Sequence, residues 1–188
     1  MMKTTVLAIS LCALAFVSGC TGYSWGTNVP EEYRTVAVPV FENLTQISEL
    51  GQITTQYTLR EFQREGTFKL ARSPSDAAIE VQGVLKRAMR GGIAYDRGSG
   101  MRATEYRYVV SADVSFVDKR NGKVLKESRG IKAETTFLTQ NDLLTGQKNA
   151  AARIANDLAR QIVNEALALK FRGKRRIKGS GAVEGVQK

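Results

Sequence analysis

Apolar and polar positions alternate most regularly between Thr104 and Asp118. Tyr106, Tyr108, Val110, Ala112, Val114 and Phe116 share one face there, and Glu105, Arg107, Ser111, Asp113 and Ser115 the other. A period of two over this length predicts a strand of an antiparallel sheet, buried on one side and wet on the other. The same pattern runs from Ile79 to Met89, with Ile79, Val81, Leu85 and Met89 opposite Glu80, Gln82, Lys86 and Arg90. Asn121-Gly122 predicts a type I′ hairpin, since both residues tolerate positive φ. It leads into a third extended segment, Lys123 to Phe137. Tyr33 to Phe41 is a further strand candidate with Val36, Val38 and Val40 on one face. Pro39 cannot donate to a ladder, which confines that strand to an edge or a bulge. A short strand, Thr67 to Ala71, precedes a turn at Ser73 to Asp76.

Two segments carry helical spacing instead. Ile47, Leu50, Ile53, Tyr57 and Phe62 recur at near-helical intervals, with Gly66 as the stop. After Thr139 and Asp142, which can cap a helix, come Leu144, Ala151, Ile154, Leu158, Ile162 and Leu169. The order is strand, helix, short strand, three meandering strands, helix. Every apolar stripe is buried if both helices cover one sheet face. The expected fold is therefore α+β, a two-layer sandwich of a mixed, mainly antiparallel sheet of four to five strands with two helices packed on one face.

The N-terminal pattern is of another kind. Lys3 is followed by an almost unbroken apolar run, Thr5 to Val17, shorter than the ~20 residues a bilayer span needs. The run closes on Val17-Ser18-Gly19-Cys20, which resembles the lipobox of bacterial lipoproteins. An ordinary signal peptide with a chance cysteine is the competing reading. The lipobox implies a lipoprotein signal peptide over 1–19 and acylation of Cys20, with a covalent S-diacylglyceryl group and an N-acyl chain and no other cofactor. Several chains anchor a protein durably, at ~0.8 kcal/mol per buried methylene. Thr21 stands where the inner-membrane retention signal of this class has aspartate, which favours the outer membrane. Cys12 leaves with the signal peptide, so no thiol remains for a disulfide or a metal.

Charge adds less than the total of +10 suggests. From 170 to 188 the chain carries Lys170, Arg172, Lys174, Arg175, Arg176, Lys178 and Lys188 against Glu184, a net +6. The rest is close to an ordinary soluble domain. The expected organisation is a tether over 20–32, one domain over 33–169 and a basic disordered tail over 170–188. The tail is either a solvating extension or a weak attraction to anionic lipid headgroups or lipopolysaccharide. Export to the envelope excludes nucleic acid as a partner. With no histidine there is no His-based metal site or catalytic base. Asp113, Asp118, Glu127 and Glu134 lie on strands without a paired nucleophile, so neither catalytic residues nor a metal site is expected.

The chain resembles LptE, the lipopolysaccharide-assembly lipoprotein family, from Cys20 to about Leu169. The resemblance is carried by Cys20-Thr21-Gly22-Tyr23, by Thr35-Val36-Ala37-Val38-Pro39-Val40-Phe41-Glu42-Asn43, and by Arg60-Glu61-Phe62. Thr104-Glu105-Tyr106-Arg107 and Gly122-Lys123-Val124-Leu125 complete it. Thr21, where the family usually has glycine, and the basic tail depart from the pattern. The resemblance implies a lipid-anchored outer-membrane protein facing the periplasm. Such a protein sits within the lumen of an LptD-like β-barrel, which it plugs and helps assemble, and contacts lipopolysaccharide in transit. A generic envelope lipoprotein with another lipid or protein partner is the alternative.

Lipopolysaccharide carries phosphates, and arginine forks match phosphate bidentately. The glycine-rich stretch Gly91-Gly92 to Gly100 lacks a Walker lysine and reads as a hairpin tip. Arg87, Arg90, Arg97, Arg102 and Arg107 surround it, and are the candidate lipopolysaccharide contacts, Arg97 and Arg102 foremost. Solvated surface arginines or barrel-wall contacts are the plain alternative. Tyr106, Tyr108 and Phe116 alternate too regularly to be anything but core. Tyr23 and Trp25 suit either the membrane interface or packing on the domain.

Overall fold

Apolar alternation is converted here into long antiparallel strands. The computed structural model describes residues 29–96, 98, 102–138 and 143–171. The lipobox and Cys20, Tyr23 and Trp25, Arg97, the cap candidates Thr139 and Asp142, and the tail beyond Phe171 lie outside the described residues. In chain order the strands are β1 (Thr35–Ala37), β2 (Glu42–Asn43), β3 (Lys69–Leu70), β4 (Ile79–Tyr95), β5 (Ala103–Asp118) and β6 (Lys123–Leu138). The helices are α1 (Leu50–Glu65) and α2 (Leu143–Leu167). Among the described residues they build one sheet ordered β3-β1-β4-β5-β6, with β2 also paired to β4. β1 and β2 run parallel to β4, and β4, β5 and β6 form an antiparallel meander. This is the expected α+β class, with β2 as one strand more than foreseen.

The Tyr33–Phe41 segment is not one strand. Glu31–Tyr33 is a 3-10 turn, β1 stops at Ala37, and pairing resumes only at Glu42. Pro39 lies in the gap, and beyond it Val40 is 67% exposed, not aligned with buried Val36. Phe41 takes the core position instead. Its ring lies where any Cβ on Gly83 would come within 2.8 Å, so only glycine fits on the facing strand. The Phe41 amide donates to the Thr55 hydroxyl at 2.9 Å, locking the segment to α1. A Cβ on Gly51 would collide with the Phe41 carbonyl oxygen, so the helix sits almost on the backbone.

α1 is turned relative to its expected apolar line. Leu50, Thr54, Thr58 and Phe62 are buried, together with Gly51 and Thr55, while Ile53 and Tyr57 are only half-buried. The buried hydroxyls of Thr55 and Thr58 donate back to the Gly51 and Thr54 carbonyls at 2.8 Å. α2 buries Ala150, Ala151, Ile154, Ala155, Leu158, Ala159, Ile162, Val163 and Ala166 against α1 and the sheet. Small side chains on both helices permit that approach. Leu144, expected in this stripe, is 68% exposed. Gly66 ends α1 at φ +82, as a left-handed C-cap.

On β5 the alternation holds: Tyr108, Val110, Ala112, Val114 and Phe116 are buried under the helices. On β4 it holds only to Leu85. The ladder pairs Leu85 with Ala112 and Arg87 with Ser111, leaving Lys86 as an extra residue. A bulge of this kind reverses the facing of everything after it. Met89, expected on the buried face, is therefore 53% exposed on the open one. A second irregularity on β6 is held by Asp113, whose carboxylate accepts the Gly130 amide at 2.8 Å, where Gly130 has φ +68. The β5–β6 turn is also not the two-residue type I′ form. Asp118 pairs with Lys123, the loop holds 119–122, and of its residues only Gly122 has positive φ, at +67. The Gly122 amide closes the loop on the Asp118 carbonyl at 2.8 Å.

That turn forms a clasp. Asp118, 1% exposed, accepts the Tyr33 hydroxyl at 3.2 Å, the Arg120 amide at 2.9 Å and Arg120 Nε at 3.2 Å. The Arg120 guanidinium lies 4.2 Å over the Tyr33 ring, and Phe171 packs on the same ring at 4.5 Å. Burial alone would raise the Asp118 pKa, but the Arg120 side chain and backbone and the Tyr33 hydroxyl outweigh it and hold it below the ordinary 3.8. A carboxylate with a depressed folded-state pKa stabilises above its unfolded value and loses that contribution as pH falls through the folded one. Asp118→Asn is therefore expected to be about 1–3 kcal/mol less stable than the parent near pH 7. In urea titrations across pH, the gap should narrow below about pH 4. A gap that does not change with pH would mean that the charge of Asp118 contributes nothing.

Candidate functional site

The face of the sheet away from the helices is an extended polar surface whose rows are set by strand register. Register brings Arg87 of β4, Ser111 of β5 and Lys132 of β6 into one row across three strands. Neighbouring strands lie about 4.8 Å apart, so the two cations stand roughly 10 Å from each other with a hydroxyl between them. The next row is Met89, Val109 and Glu134, and the one after it Gly91, Arg107 and Thr136. Lys86, Arg87, Met89, Val109, Ser111 and Lys132 line a shallow depression of about 360 Å³. It combines two cationic ends, a hydroxyl and a small apolar floor. Such a surface suits an anionic group attached to an apolar body, with Glu134 the one acid in these rows to oppose it.

The five arginines singled out from the sequence do not form one cluster. Arg87 and Arg107 reach the open face. Arg90, beyond the bulge, is carried to the helix side, where its guanidinium lies 5.2 Å over the Tyr106 ring and donates to Gln147 of α2 at 3.4 Å. Tyr106 in turn stacks on Phe137 at 5.7 Å. Arg90 thus belongs to the packing of α2 against the sheet. Arg102 is exposed at the mouth of the β4–β5 hairpin, where its carbonyl accepts the Asp96 amide at 3.0 Å. Arg97 lies outside the described residues. Sequence reading missed Lys132 and Ser111. The alternation on β5 and β6 marks both as wet, but their meeting in a row with Arg87 depends on the extra residue at Lys86.

Several other charges near the sheet are mutually engaged. Glu80 takes Lys119 at 2.7 Å, and Glu127 takes Arg129 at 2.7 Å. Glu165 of α2 takes Lys126 at 2.6 Å and the Ser128 hydroxyl at 2.7 Å, and these hold its pKa below the usual glutamate value. Arg153 and Gln161 of α2 donate to the Thr136 and Lys132 carbonyls at 2.8 and 2.9 Å, covering part of the outer edge of β6. Among the described residues no three His, Cys, Asp or Glu side chains converge as metal ligands. No helix among them is long and apolar enough to cross a membrane.

Comparison with known proteins agrees with this architecture. A family model described as LptE, lipopolysaccharide-assembly, matches residues 33–166. No curated protein sequence matches the chain. Among solved structures, a Xanthomonas campestris protein superposes with a TM-score of 0.51 at 8% identity, over 72% of this chain and 84% of its own. It shows a shared fold. A putative lipoprotein from Caulobacter crescentus is similar at a TM-score of 0.46 and 16% identity, covering 68% of this chain and 88% of that one. The rare lipoprotein B of Shewanella oneidensis gives 0.44 and 12%, over 70% and 92%.

The division of the arginines has a measurable consequence. Arg87→Gln and Lys132→Gln, on the open face, should change the unfolding free energy by no more than about 0.5 kcal/mol. Arg90→Ala should lower it by about 0.5–1 kcal/mol through the lost ring contact. Chemical denaturation of the three variants checks the contrast, and equal losses at all three positions would contradict it.

Proposed function

The chain belongs to the LptE lipopolysaccharide-assembly family, and we propose that it performs that family's function. In this reading it is acylated on Cys20 and anchored in the outer membrane, facing the periplasm. It plugs an LptD-like β-barrel from within the lumen, helps that barrel assemble, and contacts lipopolysaccharide on its way to the outer leaflet. The observation that carries the reading is the family match, which spans residues 33–166 and so nearly the whole folded domain. The family is not an enzyme family, and the chemistry asked of this chain is binding.

The open sheet face supports the lipopolysaccharide part. Lipid A joins phosphates to acyl chains, and the Arg87–Ser111–Lys132 row beside Met89 and Val109 offers cations next to apolar surface. Arginine engages phosphate through paired donors and lysine as a point charge. Arg107 extends the row toward the hairpin, where Arg102 is exposed, and Arg97 is carried over from the sequence. The phosphate contacts proposed here are therefore Arg87, Arg107, Arg102 and Arg97, with Lys132 added to them. Arg90 contributes by holding α2 against the sheet.

Two measurements on one preparation test the reading. A mild-detergent extraction of the mature lipoprotein from its own outer membrane should recover a large β-barrel in near-equal amount. Recovery of the lipoprotein alone, from membranes that contain such a barrel, would remove the plug function. Purified Arg87→Gln/Lys132→Gln and Arg97→Gln/Arg102→Gln proteins should each bind lipopolysaccharide about tenfold more weakly, as expected for lost charge-assisted hydrogen bonds. Unchanged affinity in both would leave the barrel and withdraw the phosphate contacts.

A further inference from the structure

The open face carries one acid that phosphate contacts leave without a role. Glu134 stands on β6 opposite Val109, in the row next to Arg87, Ser111 and Lys132, and is exposed. Two residues along a strand is about 7 Å, so Lys132 is within reach of it on the same face. That spacing closes elsewhere on the same strand, where Glu127 takes Arg129 through both oxygens, at 2.7 and 3.0 Å. Among the described residues Glu134 forms no such pair, either with Lys132 or with Arg107, its diagonal neighbour on β5. Lys132 instead lines the depression together with Arg87 and Ser111. The acid on the other side of the row is committed, since Asp113 holds the Gly130 amide at 2.8 Å. The face thus presents two cations in the depression and an unpaired carboxylate at its rim. Half-buried Val109 and exposed Met89 lie beside them.

We propose that the open face recognises a zwitterionic headgroup: a phosphate that carries a primary amine on a short link and is joined to acyl chains. On the phosphate placement proposed above, on which this inference rests, Glu134 is the residue that selects among phosphates. Arg87 and Lys132 hold the phosphate oxygens, and the Ser111 hydroxyl donates to one of them. Glu134 lies one strand across and two residues along from Ser111, about 8 Å between Cα atoms. There it meets the ammonium, whose three N–H donors suit a carboxylate that only accepts. Met89 and Val109 leave apolar surface for the start of the carbon chain. A phosphate without the amine meets the same cations but sets its remaining charge beside Glu134, at a like-charge cost. Attraction for one ligand and repulsion of its competitor together make the discrimination. Lipid A with ethanolamine on a phosphate has this chemistry, and so has phosphatidylethanolamine.

The full mature lipoprotein in non-ionic detergent can be offered immobilised lipid A with or without ethanolamine on its phosphate. The parent should bind the amine-bearing form about two- to fivefold more tightly, the size of an exposed ion pair. Glu134→Gln should bind both forms equally, losing affinity for the first and gaining it for the second. Glu134 is exposed, so the fold tolerates the change, and a folding defect would weaken both forms instead. Phosphatidylethanolamine and phosphatidylglycerol, added as competitors, read the same preference for glycerophospholipids. An amine preference confined to lipid A, or to the glycerophospholipids, assigns the headgroup to that source. No preference with either lipid, or a preference that Glu134→Gln leaves unchanged, overturns the inference while phosphate binding at the row stands. Undiminished binding of both lipid A forms by Arg87→Gln/Lys132→Gln would instead overturn the phosphate row, and the inference with it.

Discussion

Two helices of 16 and 25 residues have to share a single face of the sheet, and the rest of the structure follows from how closely they must approach it and each other. Large side chains on every facing surface would hold the layers apart. The facing positions are instead Gly51, Thr54, Thr55 and Thr58 on α1 and a run of alanines on α2, with Gly83 on the sheet. Phe41 and Phe62 then fill what remains, both essentially buried. Because this face takes most of the apolar surface of β5, the opposite face has little to bury and stays largely polar. A face of that kind is available for binding without any cost to the core.

The open face acquires its particular chemistry from one extra residue. Lys86 is inserted into β4, and everything after it changes sides. Arg87 and Met89 are turned outward beside Ser111, Val109 and Lys132, while Arg90 is turned inward onto Tyr106 and Gln147. The same bulge thus makes one arginine a surface cation and its near neighbour a packing residue. Bulges commonly re-aim side chains where a sheet carries function.

At the other end of the sheet, Asp118 is a buried carboxylate whose partners come from three directions: the entry of the domain, the turn and, through the shared Tyr33 ring, the exit at Phe171. A buried charge needs such saturation, because an unmatched one would be strongly destabilising. Its consequence is topographic. The chain enters and leaves the domain side by side, with the long strands extending away from that point. Both ends of the described chain thereby lie at the end remote from the β4–β5 hairpin.

The α+β class, the three long strands, both helices and the stop at Gly66 were legible from periodicity, since a period of two or of 3.6 is a local property of the chain. So was the family, because its marks are short stretches in a set order. What the sequence did not disclose is everything that depends on register or on a neighbouring layer. Val40 and Met89 fit their apolar stripes perfectly well, yet both face solvent, because Pro39 interrupts one strand and Lys86 shifts the other. The threonines of α1 look polar, yet they are buried, Thr55 against the Phe41 backbone, whose amide it accepts, and Thr58 with its hydroxyl turned back onto its own helix. Five arginines around a glycine-rich stretch looked like one cluster, yet β4 deals Arg87 and Arg90 to opposite faces. Periodicity determines which residues share a face of an isolated strand or helix. Only the assembled sheet, with its bulges and its packed layers, decides which face that is and which distant residue stands beside each one.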